Sequence, residues 1–224
     1  GEFLVADYTN FQRHYHFAYF PLPGGDAAIK RPARTALALL WSLGIDWDDQ
    51  LAPVKDFCFE ELQALRVQLE RGLNTPRTSS LGRLFDAAAA LAGIRQTVNY
   101  EAQAAIEFES ILDPSENTAY QFDFRHGIVL VGEVIRGILA DTQSNVSRSI
   151  VSARFHNGLA ELVQRVCSDI RSKTSINEVA LSGGVWQNIA LLERATRSLR
   201  KDGFIVYLHH QVPANDGGLS LGQA

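Results

Sequence analysis

The sequence predicts a helix-rich α/β fold. Two short β-type segments open the chain, amphipathic helical patterns fill its middle, and a strand-helix-strand unit lies near its end. The 224 residues are 46% hydrophobic and 21% charged, which is the composition of one globular domain or of two lobes that share a cleft. Disordered and collagen-like classes are excluded by this composition.

The beginning of the chain is predicted to form two strands, a turn and a helix. EFLVADY and RHYHFAYF are rich in the aromatic and β-branched residues that favour strands. The turn PLPGGDAAI follows, and the helix RPARTALALLWSLG can end at Gly44, since glycine commonly terminates helices.

The middle of the chain carries helical patterns in which apolar residues recur along one face. These patterns cover residues 56–72, 78–93, 99–112, 123–142 and 145–172. The pattern over 123–142 is weakened by its glycines, which disfavour helix interiors. The longest, 145–172, is expected to face the core.

The last third of the chain changes period. INEVALS (176–182) is typical of a buried strand, a helix is predicted over 185–203, and FIVYLHH (204–210) is typical of a second strand. A right-handed crossover makes such strands parallel neighbours. The glycine turn after the first strand then lies at its carboxyl end, where ligands bind most often in this architecture.

Charge and cysteine content exclude several classes of function. The net charge of -4 gives no broad positive field, so no nucleic-acid partner is expected. Cys58 and Cys167 lie far apart in helical patterns, which excludes a disulfide framework and a CxxC metal site and favours two buried thiols.

Membrane and secretory signals are not expected either, because no apolar run is long enough to span a bilayer and no basic region precedes an apolar one at the start. A cytoplasmic protein is therefore predicted. The first residue is Gly1 and the sequence has no methionine, so we expect a piece of a longer chain.

The strongest local signal for a binding site is VALSGGVWQN, where a strand ends in Gly183 and Gly184 before a helix. Glycine lets backbone amides approach a phosphate, and a helix N-terminus favours an anion. Asn188 could add a polar contact to a sugar or base. A tight turn that requires positive φ explains the glycines equally well.

Two further glycine pairs lie beside an acidic residue. Asp216, in QVPANDGGLSLGQA, could ligate a hard cation together with waters and nucleotide phosphates, although NDGG is more often a turn or a helix cap. Gly24, Gly25 and Asp26, in PLPGGDAAI, could face a ribose or phosphate, with a β-turn as the alternative.

A fourth signal is TSSLGRLFDA, in which Ser79, Ser80 and Arg83 lie near a predicted helix start. They could hold an anion or a carbamoyl group. A helix cap beside an exposed arginine is the alternative.

Taken together, several strings resemble consecutive motifs of the carboxyl-terminal domain of HypF carbamoyltransferases, in the family's order and over nearly the whole chain. The strings are PLPGGDAAI, TSSLGRLFDAAAAL, YEAQAAIEFE, ARFHNGLA, ALSGGVWQN and QVPANDGGLSLGQA. The resemblance implies a two-lobed ASKHA-type fold of the actin and sugar-kinase kind. Residues 1–30 would then end the first lobe and cross over, and 31–224 would form the second lobe with helical insertions.

The resemblance also implies a function. In the family, carbamoyl phosphate and ATP yield carbamoyl-adenylate, and this domain passes the carbamoyl group to the terminal cysteine thiolate of the protein HypE. A divalent metal, magnesium or iron, would bind Asp216. The nucleotide would contact Gly183, Gly184 and Asn188 and be faced by Gly24, Gly25 and Asp26, and the candidate catalytic residues are Ser79, Ser80 and Arg83.

Two departures from the family pattern matter. Ala102 stands where the family has a glycine, and the family's upstream histidine metal motif and carbamoyl-adenylate-forming domain are absent from this sequence. We therefore expect this piece alone not to complete the reaction. The alternatives are a non-catalytic module that binds nucleotide or docks HypE, and a subunit that transfers threonylcarbamoyl to tRNA.

Overall fold

A computed structural model describes residues 1–223. The strands are β1 (Glu2–Ala6), β2 (Phe11–Phe17), β3 (Phe20–Pro21), β4 (Arg77–Thr78), β5 (Asp123–Arg125), β6 (Ile128–Leu130), β7 (Glu178–Ala180) and β8 (Ile205–Tyr207). The α-helices are α1 (Asp26–Lys30), α2 (Pro32–Ser42), α3 (Ala52–Lys55), α4 (Phe59–Arg71), α5 (Leu81–Leu91), α6 (Gln103–Ser110), α7 (Gly132–Gln143), α8 (Arg148–Thr174), α9 (Ile189–Lys201) and α10 (Leu219–Gln223). Two 3₁₀ helices cover Gly184–Gln187 and Asp216–Gly218. These elements make a helix-rich α/β fold, as the sequence predicts.

The strands form one larger sheet and two strand pairs. The larger sheet has the order β1-β2-β6-β5, in which β2 and β6 are parallel and the other pairs are antiparallel. β3 pairs with β4, and β7 runs parallel to β8 with Val179 opposite Val206. The predicted parallel strand-helix-strand unit is therefore confirmed.

The helices enclose one core. α2 packs along α5, and the small buried side chains of Ala33, Ala36 and residues 87–90 let the two helices approach closely. α8 contacts α6, α7 and α9 and buries an apolar stripe that includes Phe155 and Leu159. Gly72 ends α4 with φ 64°, a left-handed conformation that glycine adopts without steric cost.

Residues 123–142 are not one helix. β5 and β6 form a hairpin joined by His126 and Gly127, and only α7 is helical. Both turn residues have positive φ, 51° and 78°, as in the type I′ turn that joins many two-residue hairpins. Strands of three residues are too short to show a period of two, so the pattern favoured helix.

The prediction of two buried thiols is confirmed for one of them. Cys58 is exposed and precedes α4, whereas Cys167 is buried, and burial raises the pKa of Cys167 to about 12.

The division of the chain at residue 30 stays a prediction. Tyr15 and Phe17, which precede residue 30, lie in the same core as the later helices. Within residues 1–223, no helix has the length and apolarity needed to cross a bilayer.

Candidate active site at the carboxyl end of β7

The turn after β7 lies against the segment that carries Asp216. The amide of Gly183 donates a 2.7 Å hydrogen bond to the carbonyl of Ala214. A β-carbon built on Gly184 would lie 3.8 Å from that of Asn215. Gly183 and Gly184 thus lie beside the segment that follows β8 and leads to the exposed Asp216.

The two glycines of this turn have different reasons to be glycine. Gly183 has φ 103° and ψ 158°, a region that only glycine adopts without strain, so the turn explanation holds for it. Gly184 has no positive φ, and a β-carbon there would make only ordinary contacts. Nothing in the described fold therefore excludes a side chain at 184, and its absence leaves the backbone open to a ligand.

The glycines do not open directly into the α-helix. The 3₁₀ helix Gly184–Gln187 intervenes, and the second and third amides of α9 are already bound by side chains. Leu191 donates to Oδ1 of Asn188 at 2.8 Å, and Ala190 donates to Oε1 of Glu109 at 2.8 Å. The prediction of free amides at the start of α9 is therefore wrong for Ala190 and Leu191, and Glu109 supplies a negative charge that the helix dipole favours.

Free backbone donors remain one turn earlier. Among residues 1–223, the amides of Gly184 and Val185 have no hydrogen-bond acceptor. Asn188, by contrast, is engaged at both ends of its carboxamide, since Nδ2 lies 2.9 Å from Nε2 of His156. One Nδ2 hydrogen and one Oδ1 lone pair are left for a ligand.

The residues at the start of α5 are placed near this turn but serve mainly the helix. Ser80 caps α5, accepting the amide of Arg83 at 3.4 Å, with Ser79 immediately before it. The guanidinium of Arg83 lies 3.0 Å from the carboxylate of Asp86, and its side chain is only 13% exposed. The capping explanation fits Ser80, whereas the arginine faces inward rather than toward solvent.

Asp86 is buried beneath that helix start. Burial raises its pKa to about 6, against the opposing effect of the Arg83 charge. The Asp86 carboxylate therefore becomes protonated, and loses its ion pair with Arg83, at a higher pH than an exposed aspartate would.

Gly24, Gly25 and Asp26 occupy a separate turn. The amide of Gly24 donates to the carbonyl of Asn74 at 2.7 Å, and both glycines have positive φ, 84° and 54°. Asp26 is exposed at the first position of α1. The β-turn explanation accounts for both glycines.

A cavity of about 780 Å³ is lined by three of the other candidates. β1 and β7 both line it, and within residues 1–223 each of them pairs with one strand only. Ser80, Gly183 and Gly184 belong to its lining, and residues 24–26 do not. Its wall is mainly apolar, with contributions from Phe17, Leu159, Leu162, Val163, Ile170 and Phe204. An anionic ligand therefore suits the polar rim at the end of β7 better than the interior.

Comparison with known proteins decides the family. Residues 1–223 match the family model described as carbamoyltransferase, Kae1-like domain, second subdomain. The chain belongs to the HypF carbamoyltransferase family. It is 36% identical to the carbamoyltransferase HypF of Rhizobium leguminosarum bv. viciae, covering 100% of this chain and 29% of that protein.

Solved structures of HypF share the fold. A crystal structure of full-length HypF in a phosphate- and nucleotide-bound form matches with a TM-score of 0.91 and 40% identity, over 100% of this chain and 30% of that one. HypF of T. kodakarensis matches with a TM-score of 0.81 and 24% identity, over 100% of this chain and 31% of that one. The chain thus spans about 30% of the length of the relatives it matches, and the Kae1-like fold confirms the predicted α/β class.

Residues 1–223 of this HypF-type chain do not by themselves form a metal site. Asp216 is exposed, and within the described part of the chain no three histidine, cysteine, aspartate or glutamate side chains are grouped to hold an ion. A metal held by Asp216 would need its other donors from waters, nucleotide phosphates or groups beyond the described residues. We therefore assign no chemical step to a metal.

Two residues of the site were not found from the sequence. His156 lies in the string ARFHNGLA and Glu109 in the string YEAQAAIEFE, and both strings support the HypF resemblance without marking these two residues. Both act across the fold on the start of α9, over sequence separations of 32 and 81 residues. No local pattern reports such contacts.

Proposed function

We propose that this chain is the nucleotide-binding, carbamoyl-transferring part of a cytoplasmic HypF-type carbamoyltransferase. Its substrate would be carbamoyl-adenylate, made from carbamoyl phosphate and ATP, and its acceptor the terminal cysteine of HypE, for synthesis of the hydrogenase cyanide ligands. The observation that carries the proposal is the turn at Gly184. This turn lies at the carboxyl end of a parallel strand and has two free amides. Gly184 has no side chain to cover them, although the fold has room for one.

The chemistry needs a held phosphate and an attacking thiolate. The sulfur of HypE attacks the carbamoyl carbon, a carbon–sulfur bond forms, and the bond from that carbon to the phosphate oxygen breaks. AMP leaves with the electron pair of that bond. Backbone donors at Gly184 and Val185 would stabilise the phosphate charge, which is the role preorganised amides have in acyl transfer.

The remaining candidates have narrower roles in this proposal. Asp216 lies beside the turn and would contribute one ligand to a metal whose other donors come from outside this chain. Ser80 would border the ligand while capping α5. The turn at Gly24 and Asp26 would face the nucleotide only from the far side, and Ser79 and Arg83 would support Ser80 rather than touch the carbamoyl group.

The experiment supplies carbamoyl-adenylate to a full-length family enzyme that carries these residues and measures carbamoyl transfer to HypE. Gly184→Val should weaken AMP binding and transfer by about tenfold or more, since a β-branched side chain would cover the amides. Gln187→Val, on the exposed end of the same 3₁₀ helix, is the control and should leave both unchanged. Equal values for the wild type and Gly184→Val would refute the placement.

A second candidate is a non-catalytic module that binds nucleotide or docks HypE. The single carboxylate at Asp216 favours it, because the described residues lack a complete metal site. The same assay separates the two functions. Nucleotide binding without any carbamoyl transfer by the full-length enzyme would support the module.

A further inference from the structure

His156 is a polar residue in an otherwise apolar part of the core. It lies on α8 with 0% of its surface exposed. Phe85 of α5 and Phe108 of α6 pack around it with ring centroids at 5.3 and 5.8 Å. A buried imidazole is costly unless both ring nitrogens find hydrogen-bond partners, so these partners indicate what the side chain does.

The partners fix the tautomer of His156. Nδ1 lies 2.8 Å from the carbonyl of Ser152, which can only accept, so Nδ1 carries the proton. Nε2 therefore accepts, from Nδ2 of Asn188 at 2.9 Å. The orientation of Asn188 is fixed independently, because its Oδ1 accepts the amide of Leu191.

The imidazole is neutral at ordinary pH. Burial lowers its pKa to about 4, and the positive charge of Arg194 acts in the same direction. The acceptor at Nε2 is consequently available over the whole physiological range.

Asn188 connects this imidazole to the glycine turn. It follows the 3₁₀ helix directly, and its amide donates to the carbonyl of Val185 at 3.1 Å. Within the turn itself, the amide of Trp186 donates to the carbonyl of Gly183 at 3.1 Å. A rigid core helix is thus joined through one side chain to the turn with the free amides.

We infer that His156 is a positioning residue that holds, through Asn188, the Gly183–Val185 turn in the conformation that presents its amides to a nucleotide phosphate. The inference rests on the proposed function, because it assumes that the phosphate binds at this turn. It adds a residue that touches no ligand and acts from the opposite side of the turn. Preorganisation of this kind raises affinity by removing the cost of ordering the backbone on binding.

The first test compares His156→Leu with His156→Gln in the full-length enzyme, with AMP as the probe in calorimetry. Leucine removes the acceptor, whereas the glutamine amide can still accept from Asn188. We expect AMP affinity to fall about tenfold in His156→Leu and to stay within about threefold of wild type in His156→Gln. Phe108→Leu disturbs the same aromatic cluster without the hydrogen bond and should lower the melting temperature while leaving AMP affinity unchanged.

The second test does not depend on a core substitution. Asn188→Ser keeps a hydroxyl that can cap α9 but removes the donor to His156. It should weaken AMP binding by a similar factor, and the double variant with His156→Leu should be no weaker than either single variant, since both break one link. Independent, multiplied losses would overturn the inference.

The outcomes separate this inference from the proposed function. If Gly184→Val weakens AMP binding and His156→Leu binds AMP like the wild type, His156 is only a core residue and the inference fails alone. If Gly184→Val also binds AMP normally, the proposed site itself fails. Equal losses of affinity in His156→Leu and Phe108→Leu would likewise overturn the inference, because general loosening of the core would then explain both.

Discussion

At the scale of single residues, Ala102 is held in an unfavourable conformation. It precedes α6 with φ 61° and ψ 8°, in the left-handed region where a β-carbon is disfavoured. The resemblance implies a glycine at this position in the HypF family, and the left-handed backbone conformation is a physical reason for one.

Ala102→Gly should therefore stabilise the protein, by about 1 kcal/mol, since the steric cost of the left-handed conformation outweighs the added freedom of the unfolded chain. Urea unfolding measures the change. Ala105→Gly, inside α6, is the control and should destabilise by about 1 kcal/mol. A loss of stability in both variants would show that the Ala102 conformation carries no strain.

His156 also makes a pH prediction. Its pKa is lowered in the folded state to about 4, so the unfolded chain binds a proton that the folded chain excludes. The corresponding stability is present above about pH 6.5 and is lost as the pH falls through about 4. The free energy of unfolding of the wild type should therefore fall relative to that of His156→Gln over this window, by roughly 3 kcal/mol at most.

Asp86 titrates with the opposite sign in an overlapping range. Its pKa is raised to about 6, so it stabilises the folded state below its unfolded pKa and this contribution is lost as the pH rises through about 6. Both proteins contain Asp86, and the difference between their unfolding curves isolates the histidine. Parallel curves from pH 7 to pH 4 would contradict the buried neutral imidazole.

At the scale of elements, α8 depends on a glycine where another chain segment crosses it. A β-carbon on Gly158 would lie 2.2 Å from the carbonyl oxygen of Tyr120. That segment cannot move away freely, because the amide of Tyr120 donates to the carbonyl of Arg154 at 3.1 Å and its hydroxyl to Asp141 at 2.6 Å.

Gly158→Ala should consequently destabilise the protein by about 3 kcal/mol or more, as overpacking against fixed backbone does. Gly82→Ala, in α5, is the matched control. Its β-carbon would come no closer than 3.6 Å to Ser80 Oγ, and it should be neutral or stabilising by about 0.5 to 1 kcal/mol. Equal thermal unfolding of Gly158→Ala and wild type would show that the two segments are not in contact.

The sequence predicts elements well where a period persists and poorly where contacts are distant. β7, α9 and β8 follow from a change of period, and the family from the order of short strings. The hairpin at His126 was missed because its strands have three residues each. The hydrogen bond between Asn188 and His156 cannot be predicted from local sequence, because the two residues are 32 positions apart.

At the scale of the whole molecule, two strand edges face the same cavity. β1 and β7 each pair on one side only within residues 1–223, and unpaired edges are templates for association. We expect the 224-residue chain by itself to self-associate with increasing concentration in light scattering. Leu4→Lys on β1, where the leucine is 47% exposed, should reduce this association.

The control for that prediction is an exposed apolar residue away from any strand. Phe59 is 70% exposed at the start of α4, and Phe59→Lys should leave self-association largely unchanged. A monomer at all concentrations, or an equal effect of both lysines, would contradict a role for the strand edges.

The candidate site is likewise a property of the whole fold. The sequence predicts one centre made of the three glycine pairs and the start of α5. The structure joins Gly184, Ser80 and the segment of Asp216 but keeps Gly24 in a turn anchored to Asn74. Proximity between such segments depends on how the strands and helices pack, which residue spacing does not encode.

The most direct test of the proposed nucleotide site is a crystal of the full-length enzyme soaked with ATP and magnesium. We predict phosphate density within hydrogen-bond distance of the amides of Gly184 and Val185, beside Asp216. Nucleotide density elsewhere in this domain, with both amides unliganded, would contradict it.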